Sequence, residues 1–222
     1  MSTESTLPPR GDVTREALIA TAMQAFARDG FDAASTRAIA RDAGVNQALI
    51  GYHFGGKRGL YLACFEHIVE RVRRRIAPAL RRIDEQLNER PADAAGRCEA
   101  ALEALFGLTD AFADVMISGE SAAWAQLILR EQQAPTDAFR VVLEGFMEPV
   151  LRCLTRLIAM ARGEREAEAH RLRAITVVGQ VLVFRTCRAG MLHHLGWDDV
   201  GASEAAIVRR HIRATVGAVA LG

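Results

Sequence analysis

Between Ser35 and Phe54 the chain carries two apolar patterns joined by the five residues "DAGVN". Each is far below the roughly 12–15 residues at which an isolated helix becomes even marginal in water, so both must pack against each other and against longer neighbours. That requirement dictates a compact helical unit with a tight reversal inside it. Gly44 supplies the left-handed conformation the reversal needs, and Ala40, Val45 and Ile50 offer small and branched contacts between the two segments. Ser35 and Asn46 stand where the N-caps belong.

The flanks are helical as well. Leu18, Ala22 and Phe26 recur at helical spacing, with Thr14 as the expected cap, Glu16 in the first turn and Gly30 ending the run. Residues 1–11, with "LPPRG", lack periodicity and are expected to form a mobile arm. From Lys57 a long helix is expected to about Ala77, broken near Pro78. Every later segment reads as helix between Gly, Pro, Ser or Thr breaks. "ITVVGQVLVF" is β-branched enough to be ambiguous by propensity, but its length and flanks favour helix. The expected fold is all-α.

Composition narrows the function. Half the residues are hydrophobic, 25% are charged and the formal net charge is +1, which excludes a disordered tail or a bulk-basic coat protein. A polyanion would be met by a local patch. No apolar run approaches the ~18 residues of a membrane span, and the polar start lacks a signal-peptide pattern, so a cytoplasmic location with no membrane partner is expected. The four cysteines, Cys64, Cys98, Cys153 and Cys187, are widely separated and read as buried reduced thiols. No nucleophile elbow, phosphate loop or HExxH pattern is present, so no catalytic residue, cofactor or metal is assigned.

Two short helices joined by a Gly-containing turn, the second polar at its front, form the helix-turn-helix pattern. In such a unit the front of the second helix enters the major groove, which places Asn46, Gln47 and Ala48 nearest the base edges. Gln can pair with adenine through two hydrogen bonds, and Ala can pack on a thymine methyl. Ser35, Thr36 and Arg37 gather a hydroxyl, a guanidinium and free amides at a helix start, a ready phosphate site. Tyr52, His53 and, after "GG", Lys57 can reach the backbone from the other end.

Residues 14 to 62, with "TREALIATAMQAFARDGFDAAST" followed by "IARDAGVNQALIGYHFGGKRGLY", resemble the DNA-binding domain of the TetR family of bacterial transcriptional regulators. The block from Gly44 to Phe54 matches without a gap, and Lys57 falls where the family places a phosphate-facing Lys. Gly51 departs from the pattern, standing where members often carry a Tyr or another large polar residue, which implies a lost contact and a helix weakened by up to ~1 kcal/mol relative to Ala. "AQLILREQQAPTDAF" and "VVGQVLVFRTCRAGMLHHLGW" resemble the subgroup called CecR-type regulators. The resemblance implies a DNA-binding unit at 12–62 and a helical effector-binding and dimerisation domain at 63–222. It also implies a double-stranded operator, a small-molecule effector and a homodimer built on residues 165–194 and 204–220. Gly179, Ala189, Gly190, Ala214 and Gly217 would permit close helix contact there.

Other residues have bland readings beside functional ones. Phe26, Ile39, Val45 and Phe54 are expected to be core. Trp124, Leu127, Ile128 and Glu131 share a helical face, which is either core or a pocket wall. Arg185 and Arg188 need a carboxylate or an effector anion if buried. The basic run "RVRRRIAPALRR" at 71–82 reads as a solvated face. His193 and His194 point about 100° apart on a helix, which disfavours metal sensing. The rival class is a helical scaffold protein whose helix-turn-helix is only a corner.

Overall fold

The computed structural model describes residues 10–88 and 93–222, and every regular element among them is helical. The helices are α1 (Arg10–Ala33), α2 (Thr36–Asp42), α3 (Ala48–Phe54), α4 (Lys57–Asn88), α5 (Ala94–Ile117), α6 (Ser121–Gln133), α7 (Asp137–Val142), α8 (Glu148–Ala161), α9 (Glu168–Thr186), α10 (Arg188–Leu195) and α11 (Ala202–Leu221). Two compact units result. One takes in the chain up to Val69 with Gln126–Val142, and the other Glu70–Ala125 with Leu143–Gly222. The packing thus gives Gln126–Val142 to the first unit, whereas the sequence division placed it in the second.

In the first unit Leu18, Ile19, Phe26, Ile39, Ile50, Leu60 and Phe65 are buried. Tyr61 stands edge-on to Phe26, Phe31 and Phe65, with ring centroids 5.0 Å away in each case. α1 begins at Arg10, so Thr14 is inside the helix rather than capping it, Glu16 is not in its first turn, and the expected arm overlaps the helix at Arg10 and Gly11. Residues 1–9 of that arm lie outside the described residues. Gly30, at φ 81°, breaks the helical path as expected.

The second unit is a bundle of α5, α8, α9 and α11 around Leu105, Leu108, Leu154, Ile158, Val177, Val181, Val208 and Ile212. Pro78 does not end α4, which runs on to Asn88. Its apolar stripe Val72, Ile76, Ala79 and Ile83 stays buried across the proline, and that packing outweighs the lost backbone bond. Between α7 and α8 the chain passes through a π-helical stretch, Leu143–Met147. Pro149 lacks the N–H that would serve the Gly145 carbonyl, and Arg73 Nε donates to that oxygen instead at 2.6 Å.

The penultimate long pattern is interrupted. α9 and α10 meet at Cys187, outside helical geometry, and bend by 75°. Arg185 Nε donates to Met116 O at 2.6 Å and its Nη2 to Ser118 O, while Arg188 Nη1 donates to Ile117 O at 3.4 Å and Nη2 pairs with Asp199. These guanidinium groups serve the orphan carbonyls at the end of α5, where the helix dipole also favours cations. Burial, then the neighbouring Arg188 charge, lowers the proton affinity of Arg185 from its ordinary value. No single helix among the described residues is long and apolar enough to cross a membrane.

Candidate DNA-binding surface

The reversal between α2 and α3 is built by the chain's own backbone. Val45 N–H donates to Ala40 O at 2.9 Å and Gly44 N–H to Arg41 O at 3.0 Å, the paired bonds of a Schellman ending, with Gly44 at φ 69°. Ser35 Oγ accepts from Ala38 N–H at 3.4 Å and caps α2. Asn46 Oδ1 accepts from Ala48 N–H at 2.8 Å, so Asn46 caps the incoming turn although the regular helix starts only at Ala48. Ala40 and Ile50 are buried, and Val45 is half-buried, as is Phe54.

The other face is open. Asn46, Gln47, Ala48 and Gly51 are exposed, and Tyr52 is 83% exposed, its ring 5.0 Å from that of His53. An exposed aromatic has no packing reason to be there. Gln47 Nε2 donates to Thr36 Oγ1 at 3.2 Å, which joins the fronts of the two helices; Arg37 and Ser35 are exposed beside it. α3 ends at Gly55, φ 71°, and Gly56 follows at φ 121°. A methyl group at Gly59 would stand 1.7 Å from the Phe54 carbonyl oxygen, so this glycine lets the start of α4 pass close to the end of α3.

Lys57, expected to face a phosphate, has its ammonium held against the end of α1 in the unbound chain. Its Nζ donates to Asp32 O at 2.9 Å and lies 4.9 Å from the centre of the Phe31 ring. A tether of this kind fixes where the ammonium sits, and α1 adds Arg15 over Phe54 at 5.4 Å, a contact the sequence pattern did not single out.

The remaining candidates are dispersed. Trp124 and Leu127 are buried, Ile128 is half-buried and Glu131 is 3% exposed. Glu131 is tied within the first unit: Oε1 accepts from Tyr61 Oη at 2.8 Å, and Oε2 accepts from Thr136 N–H at 2.8 Å and from its hydroxyl at 2.9 Å. Arg185 and Arg188 line neither the cleft beside Tyr61 nor the small cavity of about 10 Å³ among α5, α8 and α9. The basic run is largely engaged, with Arg71 and Arg75 on Glu120 and Arg74 on Glu70. Cys187 is exposed, against expectation, because the chain turns outward between α9 and α10; Cys98 and Cys153 are half-buried, and Cys64 is buried. His193 and His194 are both exposed, and no group of three metal-ligating side chains forms among the described residues.

A short α2, a Schellman turn and a solvent-facing α3 define a helix-turn-helix DNA-binding protein with a separate helical bundle. Residues 18–64 match the model of the bacterial regulatory proteins of the tetR family, and residues 99–222 match that of the C-terminal domain of the HTH-type transcriptional dual regulator CecR. The chain belongs to the TetR family, in the group with a CecR-type C-terminal domain, and is a DNA-binding transcriptional regulator. It is 28% identical over 217 residues to the HTH-type transcriptional dual regulator CecR of Shigella flexneri, covering 96% of this chain and 94% of that one. A TetR-like regulator from Rhodococcus sp. RHA1 superposes with a TM-score of 0.64 at 19% identity, covering 96% and 99% of the two chains. AibR, solved in complex with isovaleryl coenzyme A and operator DNA, superposes with a TM-score of 0.65 at 14% identity, covering 91% and 97%.

Proposed function

We propose that the protein is a homodimeric repressor of a palindromic operator, released by a small molecule, with 12–62 reading DNA and 63–222 serving dimerisation and effector response. The observation that carries the DNA-reading assignment is the exposed face of Asn46, Gln47, Ala48 and Tyr52 at the front and outer side of α3. Gln47 would exchange its weak bond to Thr36 for a base edge, while Ser35, Thr36, Arg37, His53 and Lys57 hold phosphates on either side. Dimerisation is supported by two apolar faces left open in the second unit. On α9 these are Leu172, Ile175 and Val183 with Gly179 between them, and on α11 Ile207 and Leu221 with Ala214. Gly217 has a different role, since a methyl group there would touch Phe106 at 3.5 Å inside the same unit.

Two copies would set their reading helices about 34–36 Å apart, one turn of DNA. An effector that favours a state with another separation lowers operator affinity by its differential affinity for the two states. The AibR complex is a precedent for effector and operator on one fold. In a gel-shift titration, Gln47→Ala costs about 1–3 kcal/mol of operator affinity and flattens preference at one base pair. Tyr52→Ala weakens binding while sedimentation still reports a dimer. Undiminished operator binding by both variants refutes the assignment of α3 as the reading helix.

A further inference from the structure

Beside Tyr61 the first unit holds a cleft of about 610 Å³, within the size range of small-molecule sites. We propose that it binds an amphipathic monoanion, a carboxylate carried on an aromatic or short aliphatic body, and that occupation is read out at Lys57 and so at the operator. The proposal rests on the regulator reading above and names where its effector acts. The walls supply both halves of such a ligand. Phe31, Tyr61, Leu62 and Ala134 are apolar surface, and Arg58 and Arg130 are the cations.

The charges sort by what each is already doing. Glu131 is buried with both oxygens engaged by Tyr61 and Thr136, which leaves it unavailable to a ligand cation. Asp137 is paired with Arg58. Arg130 has no carboxylate partner among the described residues, and its Nη2 leans on the carbonyl oxygens of Ala27 and Arg28 at 3.2 and 3.5 Å. The guanidinium keeps further N–H groups, and a carboxylate can meet such a group with two hydrogen bonds. Asp32, exposed on the lining, and the charge of Glu131, which has only neutral donors as partners, favour a cation instead, the alternative that the amine probe tests.

The route to DNA is one side chain long. Phe31 is both a wall of the cleft and the ring beneath the Lys57 ammonium, and the Asp32 carbonyl accepts from the same Lys57 Nζ. Gly30, out of helical geometry at φ 81°, sets the direction in which residues 31 and 32 leave the helix. A ligand body stacked on Phe31 shifts the platform that positions Lys57, and the operator complex, which needs Lys57 at a phosphate, is weakened.

The test is calorimetric titration of the full chain with 2-naphthoate, 2-naphthylmethanol and 2-naphthylmethylamine, followed by operator gel shifts with and without naphthoate. The expected result is saturable naphthoate binding with Kd at or below about 1 mM, with the alcohol at least ~10-fold weaker. Arg130→Met and Ala134→Trp should each weaken naphthoate at least ~10-fold, the first by removing the charge and the second by filling the cleft. Ala134→Trp leaves the Arg130 contacts to α1 in place, so it remains informative if Arg130→Met fails to fold. Equal affinity for all three probes, preference for the amine, unchanged naphthoate affinity in a folded variant, or no saturable binding overturns the site. Operator binding that persists unchanged with naphthoate bound overturns the Lys57 readout. Failure of the unliganded protein to bind any operator counts against the regulator reading itself, a separate outcome from failure of the cleft.

Discussion

Removing one oxygen atom, by Tyr61→Phe, tests whether the Glu131 cluster holds the first unit together. Tyr61 is 6% exposed and donates to Glu131 Oε1 at 2.8 Å; Glu131 is 3% exposed. In the variant that oxygen retains only a share of the Thr136 hydroxyl proton, 3.1 Å away and directed also at Oε2 at 2.9 Å, so the loss is one full hydrogen bond to a charged acceptor. Such a bond contributes about 1.5–3 kcal/mol. In a chain of this length, each kcal/mol moves the melting temperature by about 2–4 °C, so scanning calorimetry should show the transition that includes the first unit lowered by about 3–12 °C. The pH dependence supplies a second reading. Burial, followed by the Glu131 hydrogen bond and charge, pushes the Tyr61 phenol well above its ordinary range. A group with a raised folded-state pKa contributes its full stability below the unfolded value, near pH 10, and loses it as pH rises beyond that. The wild-type advantage should therefore be constant at neutral pH and shrink above about pH 10. Equal melting at pH 7 together with parallel profiles into alkali refutes the reasoning.

Other outcomes follow from the same geometry. Gly51→Ala should stabilise the protein by about 0.5–1 kcal/mol in urea unfolding, because Gly51 is mid-helix and a methyl there meets nothing within 4 Å. Arg185→Met should cost about 1–3 kcal/mol by removing the guanidinium bonds to the carbonyl oxygens of Met116 and Ser118, which keep only Ser121 as partner, seen as a lower urea midpoint. Arg73→Met and Arg74→Met, whose bonds to the Gly145 carbonyl and to Glu70 are both solvent-accessible, should each change stability in urea unfolding by no more than ~1 kcal/mol.

The parts of this fold legible in sequence are those decided within a few residues. The Gly44 reversal, the Ser35 cap and the amide bond from Ala48 to Asn46 follow from local chemistry, and the matched family block extends them. What escaped the sequence is settled by partners far along the chain. Pro78 leaves α4 intact because Val72, Ile76, Ala79 and Ile83 keep packing across it, while Pro149 sits in the first turn of α8, where a missing N–H costs little, and Arg73, over seventy residues earlier, reaches the Gly145 carbonyl. The break at Cys187 coincides with Arg185 and Arg188 reaching back to the end of α5, contacts no periodicity contains. The same limit applies to the site. The face containing Glu131 was legible as a helical stripe, but Tyr61, which gives Glu131 its role, lies 70 residues away. Lys57 was found by its place after two glycines, while its tether to Asp32 and Phe31 depends on where α1 ends.

The central claim, a dimer reading a palindrome through α3, is tested most directly by selecting the purified full chain against random duplex DNA at moderate salt and sequencing the bound pool. The account predicts a palindromic consensus whose half-site centres are about 10–10.5 base pairs apart, or a multiple, with affinity that falls steeply as salt rises. A pool without a consensus at any salt contradicts it and leaves a helical scaffold whose helix-turn-helix is a corner of the fold.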